Sequence, residues 1–237
     1  MRLILFLMFF YASAAESLML IEPVSKKDMY FQSKIGNDIY RFNEVAISGH
    51  EKNNFIEVSG ITVFKAELIP NQGNDSEGCQ VSETAEPLSF VGNIVSMKRN
   101  TGQYCKGMAH YNHSIVIEVF KIDDVTLKKV YLNEIFSDEE IVSNILSDRY
   151  FNTIFPDIKN IDLLVNSEFY NDVVLQRFAF HHLKNGRVAV RIYIPNDALS
   201  EQIVLGIYLT PRNELMESLR NSKKAGLLLE NIEKLME

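Results

Sequence analysis

Apolar and polar positions alternate along much of this chain in strand-length bursts, and two later stretches change to a helical period. The first bursts are Ile39-Tyr40-Arg41-Phe42, Phe55-Ile56-Glu57-Val58 and Ile61-Thr62-Val63-Phe64, punctuated by Gly49 and Gly60. β-Branched and aromatic side chains between turn residues predict strands. Residues 16–34 read as an extended lead-in, and the polar, turn-rich segment 67–87 reads as a loop. Leu88 to Met97 is another apolar run, and Ser114 to Ile122 is a strong strand pattern.

The period changes at Ser137-Asp138-Glu139-Glu140, a capping box with Glu140 three residues after the capping serine. Ile141, Val142, Ile145 and Leu146 then share one helical face, which predicts a helix to about Arg149. Residues 161–164 are apolar and fit either helix or strand. A hairpin gives the clearest local signal, with strands over Leu175–Leu183 and Arg187–Ile194 joined by Lys184-Asn185-Gly186. Asn-Gly suits the positive φ angles of a tight turn. Val188, Val190, Ile192 and Ile194 alternate with Arg187, Ala189, Arg191 and Tyr193, predicting one buried and one wet face. Ile203–Leu209 reads as a further strand. Thr210-Pro211 reads as an N-cap and first helical residue, opening an amphipathic helix through Leu215, Met216 and Leu219 that Gly226 interrupts before Leu227–Met236. Strands and helices do not alternate regularly. The expected class is therefore α+β, a mostly antiparallel sheet packed against two or three helices.

The N-terminus departs from these patterns. Met1 and Arg2 precede an unbroken apolar run from Leu3 to Tyr11, followed by Ala12-Ser13-Ala14-Ala15. A basic start, a short apolar core and a small-residue exit are the parts of a cleavable secretory signal. The run is too short for the roughly 20 residues of a membrane span, and the alternative is a buried N-terminal strand. The expected organisation is a signal peptide over 1–15, then N-terminal strands and a loop over 16–87 within the same unit as 88–237. Localisation is expected to be periplasmic or secreted, with no stable membrane span after cleavage.

Composition refines this picture modestly. Apolar residues make up 46% and charged residues 23%, as in a globular protein with a real core. The net charge of −7 disfavours nucleic acid, whose phosphates need a basic face. It would suit a basic partner, though acidity also serves solubility. The two cysteines, Cys79 and Cys105, would most simply pair in an oxidising compartment. Such a bridge would be worth roughly 3–4 kcal/mol in the chain-entropy model. Two cysteines at this spacing lack a second ligand pair for zinc, and neither metal nor cofactor is expected.

No catalytic motif stands out. His110 and His113 lie three residues apart without a zincin glutamate. His181 and His182 are adjacent on a predicted strand, which would point them to opposite faces and keep them from acting jointly. No Gly-x-Ser-x-Gly elbow is present. Asp123-Asp124 and Glu139-Glu140 read as a solvated turn and a helix N-terminus.

Residues 91–112, Val-Gly-Asn-Ile-Val-Ser-Met-Lys-Arg-Asn-Thr-Gly-Gln-Tyr-Cys-Lys-Gly-Met-Ala-His-Tyr-Asn, resemble the central segment of the RsiV/PdaC-type extracytoplasmic domain. The hallmark of that family is a strand entering a Gly-Gly-Ala-His turn, matched by Gly107-Met108-Ala109-His110 except at Met108. Val130 to Phe136, leading into Ser137, occupies the place of a second family motif that opens a helix. The resemblance covers about residues 88–220, and Ile194-Pro195 is only a loose counterpart of the family's proline-tyrosine strand motif. It implies a sheet packed on helices, with Gly107, Ala109 and His110 in a structural or binding turn. In RsiV such a domain binds lysozyme, and in PdaC it accompanies a separate catalytic domain. The expectation is thus an exported bacterial domain that is not an enzyme. Its partner would be an envelope or host protein such as lysozyme, or peptidoglycan. The alternative is a secreted hydrolase using His110, His113 and carboxylates scattered along the chain.

Overall fold

The computed structural model describes residues 19–27, 30–43, 54–66, 79–107, 109, 112–196 and 201–236. The expected leader over 1–15 lies outside them. Three antiparallel meanders follow one another along the chain. The first comprises β1 (Ile21–Lys27), β2 (Tyr30–Ile35), β3 (Asp38–Phe42), β4 (Phe55–Val58) and β5 (Ile61–Lys65). The second comprises β6 (Cys79–Val91), β7 (Ile94–Cys105), β8 (Asn112–Asp123) and β9 (Thr126–Lys129). A helical segment follows with α1 (Leu132–Ile135), α2 (Asp138–Ser147), α3 (Arg149–Ile154), α4 (Ile161–Val165) and a π-helical turn (Phe169–Val174). The third sheet is β10 (Phe178–Lys184), β11 (Arg187–Asn196) and β12 (Glu201–Leu209), after which α5 (Asn213–Ala225) and α6 (Leu229–Met236) close the chain. The class is α+β, with three sheets and six helices among the described residues sharing the work expected of one sheet and two or three helices.

The second sheet is the middle layer. Phe90, Val95, Met97 and Ile122 join the core of the first sheet, whereas Val91, Ile94 and Val119 join the core of the third sheet and helices α1–α4. Cover on both faces explains why Leu88–Val91 and Ile94–Met97, apolar apart from the buried Ser89 and Ser96, do not alternate with exposed polar residues. Phe90 interlocks with the first sheet: its ring lies 5.5 Å from Tyr40 and 5.9 Å from Phe42. The Tyr40 hydroxyl donates to the Gly92 carbonyl at 3.0 Å, and the Asn54 amide donates to the Ala85 carbonyl at 3.2 Å. On the other face, the buried Ser89 hydroxyl accepts from the Phe180 amide at 3.1 Å.

Four expectations need correction. The lead-in is a β1–β2 hairpin whose Phe31, Ser33 and Ile35 are buried in alternation. Residues 79–87, expected as loop, are the greater part of β6. Their polar character was misleading because cross-strand ion pairs, Glu83–Arg99 at 3.3 Å and Glu86–Lys98 at 3.5 Å, stand in for apolar contacts. The wet face expected of β11 is only partly wet, since Ala189 and Tyr193 are buried; Tyr193 clusters with Leu88, Ile117, Ala179 and Leu229. Finally, Thr210-Pro211 does not open α5, which begins at Asn213 with Arg212 as its cap residue.

Several local signals hold. The Ser137 hydroxyl accepts from the Glu140 amide at 3.3 Å, opening α2. Residues 161–165 resolve as helix, with the Asn160 side chain accepting from Leu163 at 2.9 Å. Asn185 and Gly186 both take positive φ, 50° and 74°, in the two-residue turn between paired Lys184 and Arg187.

Candidate functional site

A cleft of about 430 Å³ opens where the middle sheet, the third sheet and α6 meet. Glu86, Pro87 and Leu88 of β6 form one side, with Lys98 of β7 and Ile115 of β8 beside them. Tyr193, Gln202 and Val204 come from β11 and β12. Leu229, Ile232, Glu233 and Met236 of α6 complete the wall. These α6 positions recur at intervals of three or four residues, so one helical face lines the space. The lining mixes apolar side chains with the Lys98–Glu86 ion pair and Glu233. Burial holds the Tyr193 hydroxyl well above the usual phenol range, with the Glu233 and Glu86 carboxylates acting in the same direction and Arg191 opposing.

A polar cluster adjoins this wall. His181 and His182 were expected on opposite faces of β10, but their Nδ1 atoms lie 2.6 Å apart. The β10–β11 register shifts between Phe180 and His182, and such a bulge bends the strand and re-aims its side chains. The expectation of opposite faces assumed regular pleating, which fails at that point. Sequence offers a weak clue at best, since no glycine marks the bulge.

Donor capacity fixes the proton positions. Arg191 Nη2 lies 2.5 Å from His181 Nε2, and a guanidinium can only donate. His181 Nε2 therefore carries the lone pair, and its Nδ1–H donates to His182 Nδ1. His182 Nε2–H then donates to the Tyr208 hydroxyl at 3.1 Å. Arg191 Nη1 also donates to Glu233 Oε1 at 3.3 Å. Glu233 Oε2 stands 3.5 Å from His181 Nε2, a longer approach than that of Arg191, and so the arginine takes the nitrogen. Burial pushes the His181 pKa down, as do the charges of Arg191 and His182, while Glu233 and Glu230 oppose them.

The residues singled out from sequence lie elsewhere. Cys79 and Cys105 are direct partners in the β6–β7 ladder, and no cysteine among the described residues is free. Directly opposed positions in an antiparallel pair have Cα separations of about 4.5–5.5 Å, inside the range a disulfide spans. Gly107 is exposed with φ of 96°, as a turn requires, and Ala109 is exposed in the same β7–β8 connection. His110 lies outside the described residues. His113 is exposed on β8 opposite Gly102. Cys105, Gly107, Ala109 and His113 do not line the cleft. Among the described residues no helix is long and apolar enough to cross a membrane, and no group of three or more His, Cys, Asp and Glu side chains is arranged to hold a metal. The chain matches no protein-family model, no curated protein and no solved structure.

Proposed function

We propose that this protein is an exported, non-catalytic binding domain whose partner seats in the cleft between the middle sheet, the third sheet and α6. The observation that carries this reading is the cleft itself. Its volume lies within the range of about 300–1,000 Å³ typical of small-molecule sites, room for a sugar unit or a side chain of a larger partner, and its lining mixes apolar with polar and charged side chains. The partner we favour is a protein such as lysozyme, or peptidoglycan, in the envelope or outside the cell. Support comes from the leader-like residues 1–15 and from the resemblance of residues 91–112 to the RsiV/PdaC-type domain. A Cys79–Cys105 disulfide in that oxidising setting is part of the proposal, and the facing register of the two residues supports it.

The test is a binding titration of the full mature chain against lysozyme and against purified peptidoglycan, repeated with Val204→Glu. Val204 is 37% exposed in the cleft wall, so a carboxylate there leaves the core intact. Saturable binding to either ligand, weakened at least tenfold by the substitution (about 1.4 kcal/mol), is expected. Absence of binding to both, or binding indifferent to Val204→Glu, would overturn the assignment.

A further inference from the structure

We propose that β12 is an association edge, on which a second copy of this chain adds its own β12, antiparallel and two-fold about Leu205, so that the two third sheets join into one. The proposal goes beyond the binding reading and stands on the strand itself.

A strand at the rim of a sheet carries a row of unpaired backbone donors and acceptors, and folded chains blunt such rims with bulges, charge, proline or brevity. Among the described residues the other sheet edges are blunted in these ways. β1 holds Pro23, loses register between Glu22 and Ser25, and ends in two lysines. β5 has five residues, and β9 has four, two of them lysines. β6 loses register between Pro87 and Ser89. β10 does so between Phe180 and His182, and it lies against β6 and α6. β12 has none of these defences. Its nine residues run in unbroken register with β11, without proline and with one charge, Glu201, at the start. Among the described residues, no other element hydrogen-bonds its backbone from Gln202 to Ile207. Only the far end is engaged, where the Tyr208 carbonyl accepts from Arg187 and the Thr210 amide donates to Glu140.

Gly206 supplies the second observation. Unlike Gly186 and Gly226, it has no positive φ. It sits in regular register opposite Arg191, and a Cβ there would meet nothing within 4 Å. Neither backbone conformation nor internal crowding calls for glycine in mid-strand, where it weakens the pairing; close approach of another chain does. Val204, two positions away on the same face, is 37% exposed. Directly opposed residues of an antiparallel pair share a face. About a two-fold axis at Leu205, each Val204 therefore lies opposite Gly206 of the other copy, and its isopropyl group fills the space that the glycine leaves. On the core face Ile203 lies opposite Ile207, and both already pack in the core of the third sheet. Glu201 lies opposite Leu209, so no like charges are opposed. This self-complementarity favours a second copy over an unrelated strand. A nine-residue edge is only roughly 30 Å long, which puts the contact among weak interfaces of less than about 1,200 Å².

The experiment is sedimentation equilibrium of the full mature chain, joined to amide hydrogen exchange at the two ends of the concentration range. Monomer is expected at about 1 μM and a substantial share of dimer at about 100 μM, as suits so small an interface. Amides between Gln202 and Ile207 should gain protection at the higher concentration, while those of β8 stay as they are. Gly206→Lys sets a charge opposite Val204 and lies outside the cleft lining. It should leave the circular dichroism of the dilute chain unchanged and weaken dimerisation at least tenfold. Val125→Lys, at a turn position 82% exposed, should dimerise as the parent does. A chain that stays monomeric at about 100 μM, a dimer indifferent to Gly206→Lys, equal weakening by Val125→Lys, or protection gained away from β12 would each overturn the proposal. Should Gly206→Lys fail to fold, the sedimentation and exchange of the parent still decide. Failure to bind lysozyme or peptidoglycan would sink the cleft assignment and leave these readouts untouched.

Discussion

Gly226 joins the last two helices at a left-handed φ of 75°, and its amide donates to the Lys223 carbonyl, closing α5. A Cβ built there would lie 3.4 Å from Val24 Cγ2, tight enough to press on β1. The neighbouring Ala225 carbonyl accepts from the buried Ser33 hydroxyl at 3.1 Å, so strain at this turn would reach the first sheet. Gly226→Ala should cost about 1–2 kcal/mol from the backbone conformation alone, with the Val24 contact adding to it. Gly186→Ala, at a similar φ of 74° with no neighbour within 4 Å of its would-be Cβ, should cost only the conformational part. Urea denaturation of the two variants compares them directly, and an equal loss would deny the Val24 contact any weight. Both glycines were legible in the sequence as turn points, because a positive φ is demanded by the residues immediately around them. The Val24 contact was not, since its partner lies some two hundred positions away.

The clearest contrast between elements involves α2. Ser137 and Glu140 have the spacing of a reciprocal capping box, and the serine half forms as expected. The glutamate instead accepts from the Thr210 amide at 3.0 Å and from its hydroxyl at 2.9 Å, with Arg187 Nη2 at 3.5 Å. One carboxylate thereby ties α2 to the end of β12 and the start of β11. This also accounts for the failed expectation at Thr210: its hydroxyl serves the α2 connection, and the helix begins only at Asn213. Ser137→Ala should cost about 1 kcal/mol, the usual worth of a cap. Glu140→Ala should cost about 1.5–2 kcal/mol, because hydrogen bonds to a charged acceptor are the stronger kind, although the Thr210 donors it leaves are open to water. Thermal or chemical unfolding ranks the pair, and equal losses would show that Glu140 acts only locally. Local capping was readable from four consecutive residues, whereas the long-range use of Glu140 depended on which strand end came to rest beside it.

Across the whole molecule, stability rests on the middle sheet being covered on both faces. Phe90 is fully buried between Tyr40 and Phe42, and Phe90→Ala should cost about 3–5 kcal/mol in one cooperative transition. A separate early unfolding of the first sheet would contradict the shared core. The pH dependence follows from His181, whose folded-state pKa is depressed. The unfolded chain binds that proton more readily, so its stabilising contribution is complete above about pH 6.5 and diminishes as pH falls toward the folded value. Denaturation midpoints at about pH 7.5 and about pH 5 should therefore differ more in the parent than in His181→Gln. The α+β class, the strands at Ile39, Phe55 and Ile61, the Asn185-Gly186 turn and the Ser137 cap were all present in the chain's own patterning. Each is set by side chains within a few positions of the backbone it governs. The three-layer order, the strand made of polar residues at 79–87, the bulge that brings His181 to His182, and the cleft beside α6 needed the folded chain. Those features depend on which distant surfaces meet, and no local pattern specifies the partner a face will acquire.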